Sequence, residues 1–290
     1  MPPFVVTLVL LSAVMHAGWN LVARRYRAND IFLRILVVIA IAGVPATILL
    51  EFSSQPVFAA IWTIVPISAV FQAIYFWGVT GAYRSGDFTI VYPLSRALPV
   101  LFIAFVDMFR GHVPSQLGWI GIILVTAGCV LIPLRSPRDI TLTRYLNRTI
   151  LWVVITAGAI VGYTIFDSMA NLALQGGATS ALRYNVYETS LSLVAYAAIL
   201  KLERRPSVQP EGWRGWRFPV IAAVFVFGSY SLILWAYQLT PYASYVSAMR
   251  QVSIVIGAIG GALLFREPAP VLRIAAALVI LSGVACIAAT

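Results

Sequence analysis

Charge is scarce in this chain. Charged residues make up 10% of its 290, with 10 Asp and Glu against 20 Lys and Arg, and Lys201 is the single lysine. A soluble domain carries about a quarter charged residues, so the composition argues against a water-soluble fold and belongs to a polytopic membrane protein. Cysteine is nearly absent too. Cys129 and Cys286 both lie in apolar runs, which leaves no disulfide framework and no metal-ligand spacing, only two buried thiols. The two histidines, His16 and His112, stand far apart. The chain therefore lacks the cluster of acids, His or Cys that an intramembrane enzyme such as a lipid-modifying transferase would need. It also lacks a G-x-x-x-x-G-K-[ST] phosphate loop, which excludes a nucleotide-driven pump for this chain alone. A net charge of +10 would suit nucleic acid, yet the basic residues are scattered through short loops and form no contiguous surface. No nucleic-acid partner, metal or other cofactor is expected.

Apolar residues are what the chain has in excess: 61% are hydrophobic and the mean hydropathy is +0.91. A bilayer core needs about 20 apolar residues per helix. That ruler predicts ten spans, at 4–23, 31–50, 57–82, 88–109, 115–134, 150–170, 178–200, 217–239, 242–265 and 270–289. The first has no basic segment ahead of it and is read as a span, not as a cleaved signal peptide. The loops after spans one, three, five, seven and nine hold fifteen of the 20 basic residues, whereas the opposite loops and both termini hold only Arg110. Positive loops stay cytoplasmic, so both termini are expected on the outer side.

Spans four and five can be laid over spans nine and ten with a shift of 154. Arg96 then falls on Arg250, Pro114 on Pro268, Tyr83 on Tyr237, and Ile120, Leu124 and Val125 on Ile274, Leu278 and Val279. The coincidence of the rare residues carries the weight. Each half, 1–148 and 149–290, would hold five spans, and an odd number puts the second half into the bilayer upside down. Such inverted repeats are the plan of alternating-access carriers, which bind solute near the midplane.

The first span carries "HAGWN", the fourth opens on "GDFTIVYPLSRALPVL", and "REPAP" precedes the last. With ten short-looped spans, these resemble the drug/metabolite transporter superfamily and, within it, the EamA-type ten-helix exporters, over essentially the whole chain. The resemblance implies export of amino acids and other small metabolites across a bacterial inner (plasma) membrane. Size and aromatic content look most like the aromatic-amino-acid exporters. One departure stands out. The small four-span multidrug members carry an acid in their first span, and here no Asp or Glu occurs before Asp30.

Polar residues inside the spans are the site candidates, because they are costly in lipid unless they face the protein interior or water. His16, Trp19 and Asn20 share one face of the first helix. That face is either a wall of the central cavity or an interfacial aromatic with an amide that serves a neighbouring helix. Arg96 and Arg250 lie mid-span, flanked by Tyr92 and by Tyr245, and either brace the two halves or capture a substrate carboxylate. Pro99, one turn after Arg96, is a candidate hinge. Trp77 and Trp235, in corresponding spans, are the aromatics expected to line the cavity together with Tyr163. Asp107 is expected to pair locally with Arg110. Glu188, Asp167 and His16 are the groups able to carry a coupling proton, and facilitated diffusion without any coupling ion stays open beside them.

These readings converge on an all-α polytopic membrane protein, with ten transmembrane helices as two inverted five-helix repeats. It would act as a secondary transporter of small amphipathic metabolites, amino acids with aromatic or bulky apolar side chains foremost, rather than as an enzyme. A multidrug exporter of lipophilic compounds is the nearest alternative. The partners implied are a small-molecule substrate and the lipid bilayer, with a monomer as the expected assembly.

Overall fold

In the computed structural model, residues 1–23, 31–85, 88–132, 134, 148–174, 176–204, 212–265 and 271–290 are described. Among them the chain is helical throughout, with turns and no strand. The principal helices are α1 (Pro3–Ala23), α2 (Ile31–Ser53), α3 (Val65–Ser85), α4 (Phe88–Phe109), α5 (Gln116–Leu131), α6 (Arg148–Leu174), α7 (Gly177–Leu202), α8 (Arg217–Leu239), α9 (Ala243–Arg250), α10 (Val252–Phe265) and α11 (Val271–Ala288). Six of them, α1, α2, α3, α6, α8 and α11, contain stretches long and apolar enough to cross a bilayer. The protein is membrane-embedded and all-helical. Large apolar side chains point away from the interior, among them Phe109 at 91% exposure and Phe52 at 89%, as a lipid-facing surface requires.

Helices fall where the apolar runs were expected, with two departures. The third run was expected to be helical from 57, but α3 begins at Val65, after a one-turn helix over Phe58–Ile61. Glu51, at the end of α2, explains the early turn. Its Oε1 accepts the N–H groups of Val57 at 2.8 Å and Phe58 at 2.7 Å and pins the short helix separately. The ninth run, expected unbroken over 242–265, is split at Gln251 into α9 and α10.

The two halves are not separate bodies. α3 lies along α6, α1 along α8, α5 along α11 and α2 along α7, so each of these helices packs on one from the other half. Glycines let two of the pairs approach closely. In α5 against α11, a Cβ on Gly283 would come within 2.7 Å of the Gly121 carbonyl oxygen and 2.9 Å of the Val125 nitrogen. On α3, a Cβ at Gly81 would meet the Trp152 ring of α6 at 2.5 Å. α1 and α8 are joined by hydrogen bonds instead. Ser12 donates to the Ser229 carbonyl at 2.7 Å, and Ser229 returns a bond to the Ser12 carbonyl at 3.0 Å.

Polar groups near the helix ends are answered locally. Asp107 pairs with Arg110 at 3.2 Å, as expected, and its other oxygen accepts the Ser244 N–H at 2.8 Å, which ties α4 to the start of α9. Arg183, counted as intramembrane from sequence, reaches back to Glu51 at 3.4 Å and to the Gln55 carbonyl at 2.9 Å. Arg34 bonds the Gly215 carbonyl at 3.1 Å and lies over the Trp216 ring. The Met1 ammonium lies 3.4 Å from the Ala288 carbonyl, so the two termini share one end of the bundle.

Gly283→Val should force α5 and α11 apart and lower stability by about 1–3 kcal/mol. Gly158→Ala, where an added Cβ meets nothing within 4 Å, should leave stability unchanged or raise it. Thermal unfolding of the two purified variants in one detergent checks both.

Candidate functional site

Three helices deliver basic side chains to one point. α1 supplies His16, α4 supplies Arg96 and α9 ends on Arg250. The His16 ring stands between the two guanidinium groups, its Nε2 2.6 Å from Arg96 Nη2 and its Nδ1 3.3 Å from Arg250 Nη2. Trp19, one turn on, donates its indole N–H to the same Nδ1 at 3.2 Å. Arg250 also lies over the Tyr230 ring, 5.3 Å from its centroid. The chain breaks its helix at this point. The Gln251 N–H bonds the carbonyl three residues back, that of Ala248, at 3.0 Å, and its side-chain amide donates to the Ser247 carbonyl at 3.0 Å. This tightening ends α9 beside the Arg250 side chain.

These groups line a small cavity. Phe32, Ile35, Leu36 and Ile39 of α2 and Phe76 of α3 form an apolar wall. Gln72, Tyr75, Tyr163, Asn185 and Thr189 add polar points. Their amides are partly committed. The Gln72 side-chain oxygen accepts from Ser192 at 2.9 Å, and that of Asn185 accepts from Thr189 at 3.2 Å. The Asn185 amide donates to Ser231 at 2.8 Å and to the Phe227 carbonyl at 3.0 Å.

Behind Tyr163 and Tyr230, whose rings meet edge to face, lies a second cluster of opposite sign. Asp167 and Glu188 are both fully buried. Asp167 accepts hydroxyl bonds from Ser68, Tyr230 and, at 2.7 Å, Tyr184. Ser68 also contacts Glu188 Oε1 at 3.2 Å. A serine hydroxyl has one hydrogen and cannot donate to both acids. Both contacts are hydrogen bonds only when one of the two acids carries a hydrogen. The second oxygen of Glu188 has no partner among the described residues.

Of the residues singled out from sequence, the structure brings His16, Trp19, Arg96, Tyr163 and Arg250 to the cavity and Asp167 with Glu188 to the cluster behind it. It places others elsewhere. Asn20 spends its amide on the His16 carbonyl of its own helix, at 2.7 Å, and is not in the cavity wall. Trp77 donates to Glu203 at 2.6 Å and packs edge-on against Trp152, while Trp235 packs on Phe4 near the chain's beginning. Tyr245 stacks on Tyr242 and accepts the Ser115 N–H at 2.9 Å, away from the cavity. α4 runs unbroken through Pro99, so the observed break lies at Gln251 and not at the expected hinge. The Tyr92 side chain lies outside the described residues. Gln72, Asn185, Thr189 and Ser68 were not singled out. Their signal was there, as amides and hydroxyls inside apolar runs.

A solved structure described as "Crystal structure of protein" shares the fold, with a TM-score of 0.69 over 98% of this chain and 96% of that one, at 14% identity. No family model matches the chain, and no curated protein matches it.

Proposed function

We propose that this protein is a secondary transporter that moves small amphipathic metabolites through the central cavity by alternating access. The observation that carries the reading is the meeting of Arg96 and Arg250, residues at matching positions of the two sequence halves, on either side of one imidazole at a broken helix. Discontinuous helices at the interface of two halves are where carriers bind solute. Amino acids and related small metabolites are the class that the resemblance to EamA-type exporters brings to this chain. Two guanidinium groups in the cavity disfavour the multidrug alternative wherever the drug is a lipophilic cation.

The pattern of helix packing supports a repeat. On the 154-residue shift, α1 corresponds to α6, α3 to α8, α4 to α9 with α10, and α5 to α11. Packing of α1 on α8 then has its counterpart in α6 on α3, and α4 on α6 in α10 on α1. The pairs α2 with α7 and α5 with α11 map onto themselves. Termini at one end of the bundle agree with an even number of crossings. Lining residues Trp19 and Phe32 adjoin the basic α1–α2 connection, so the cavity would face the cytoplasm and the paired tyrosines would close its outer end.

Counterflow in proteoliposomes, with a panel of labelled amino acids and related acids, tests the reading. Saturable exchange is expected with wild type. Arg96→Ala should reduce it about tenfold or more, the effect of losing a charge-assisted hydrogen bond. Trp235→Phe, off the cavity, should leave it unchanged. Exchange by Arg96→Ala at the wild-type rate would remove the cavity from the transport path. Reporter fusions at the two termini should place both outside the cytosol.

A further inference from the structure

Asp167 of α6 and Glu188 of α7 are both fully buried, and neither makes an ion pair among the described residues. Burying one unpaired charge is costly, and two like charges side by side add their repulsion. The contacts around the pair count its hydrogens. Ser68 of α3 touches Asp167 Oδ1 and, at 3.2 Å, Glu188 Oε1. Its single hydrogen serves one of the two, so the other contact needs a hydrogen on a carboxyl. A second observation, independent of Ser68, points the same way. Glu188 Oε2 is buried with no hydrogen-bond partner among the described residues, a position that a neutral carboxyl tolerates far better than an ionised one. Asp167, by contrast, is reached by the hydroxyls of Ser68, Tyr184 and Tyr230. One negative charge on the pair is answered by these hydroxyls, and a second is not.

Tyrosines surround the two acids: Tyr163 of α6, Tyr184 of α7, and Tyr230 and Tyr237 of α8, with Tyr75 of α3 edge-on to Tyr163. Gln72 of α3 also faces Glu188. Arg183, on the same helix as Glu188, is turned to Glu51. Arg250, over the Tyr230 ring, and Arg96 belong to the cavity side. His16 stands between those two guanidinium groups, where a further positive charge is repelled.

We infer that Asp167 and Glu188 together hold one exchangeable proton, and that this proton is the ion the carrier exchanges against its solute. The second half rests on the transport reading, and the first does not. Loss of the proton to water breaks one carboxyl O–H bond and leaves two carboxylates with a single serine hydrogen between them. Their repulsion acts where α3, α6 and α7 meet, at Ser68, Asp167 and Glu188. Through Tyr184 and Tyr230, Asp167 also joins α7 to α8. A proton that binds this closed arrangement better than an open one shifts the population toward it.

Infrared spectroscopy of the full-length protein in detergent, titrated with pH in sodium-free buffer, tests the site. Wild type should show a carboxylic-acid C=O band that is lost reversibly as the pH rises. The double variant Asp167→Asn with Glu188→Gln, in which amides of the same size replace both carboxyls, should lack it. Thermal midpoints report whether the variant is folded, and the wild-type titration stands without it. The absence of any titrating band in wild type, or its persistence in the folded double variant, would overturn the inference. So would loss of the band at constant pH on adding sodium chloride but not choline chloride, which would mark a metal-cation site instead. Proteoliposomes address the second half. For a solute that wild type exchanges in counterflow, an imposed pH gradient should drive accumulation against the proton flux, and Glu188→Gln should lose that accumulation. Wild-type accumulation that ignores the gradient, or a full response in Glu188→Gln, would discard the coupling. A titrating band without exchange of any solute would discard the transport reading and leave the proton site standing.

Discussion

A polar group placed at bilayer depth has no water to turn to, so each one must be answered by another group of the protein. Most of the interior obeys this closely. Asp107 is met by Arg110 and a backbone N–H, Arg183 by Glu51, and the serines of α1 and α8 by each other's carbonyls. Even the close helix pairs follow from it, because glycine lets backbones touch where there is nothing hydrophobic to gain over lipid. Against that background the His16 cluster stands out, because two guanidinium groups and an indole N–H converge on one imidazole.

Sign of charge divides the interior into two chambers. The cavity holds two arginines and a histidine, and the region behind it holds two carboxyls. Tyr230 belongs to both, its ring face under Arg250 and its hydroxyl on Asp167. A tyrosine held at both ends cannot move without disturbing one partner. A solute that draws Arg250 off the ring would free that face of Tyr230, whose hydroxyl is one of three on Asp167. On the transport reading this gives a physical route from solute occupancy to the acid pair, with the tyrosine as one link.

Much of this was legible in the sequence, and the parts that were not share a cause. Apolar runs located the helices because length and hydrophobicity are summed over some twenty residues and tolerate local exceptions. Rare ionisable groups pointed to the candidate cavity and the cluster behind it for a similar reason: Arg96, Arg250, His16, Asp167 and Glu188 are too costly in lipid to stand on an outer face. Aromatics misled. Trp77 and Trp235 are amphipathic and comfortable at many depths, so their presence in corresponding runs did not say which way they faced. Asn20 was ambiguous because a side-chain amide can satisfy its own helix's carbonyl one turn back, as it does here. The split at Gln251 left no Gly or Pro to announce it. Pro99 announced a hinge in α4 that the backbone does not take, since membrane helices accommodate proline when neighbours satisfy the freed carbonyl.

The packing also departs from the proposed two-fold pattern, and the departure falls at the cavity. α8 packs closely on α7, but the corresponding helices α3 and α2 make no comparable contact. Between them lies the cavity, walled by Phe32, Ile35, Leu36 and Ile39 on one side and by Gln72, Tyr75 and Phe76 on the other. A pair of inverted halves related by strict symmetry would be equally open at both ends and would leak. For a carrier the two halves have to adopt different conformations at any moment, one helix pair splayed and its counterpart shut, and transport is the exchange of those roles. The closed α7–α8 pair is tied directly, by Asn185 of α7 on Ser231 and the Phe227 carbonyl of α8, and through Asp167, which joins Tyr184 of α7 to Tyr230 of α8. On the transport reading these contacts would have to part in the other state, and among the described residues they are hydrogen bonds rather than a buried ion pair.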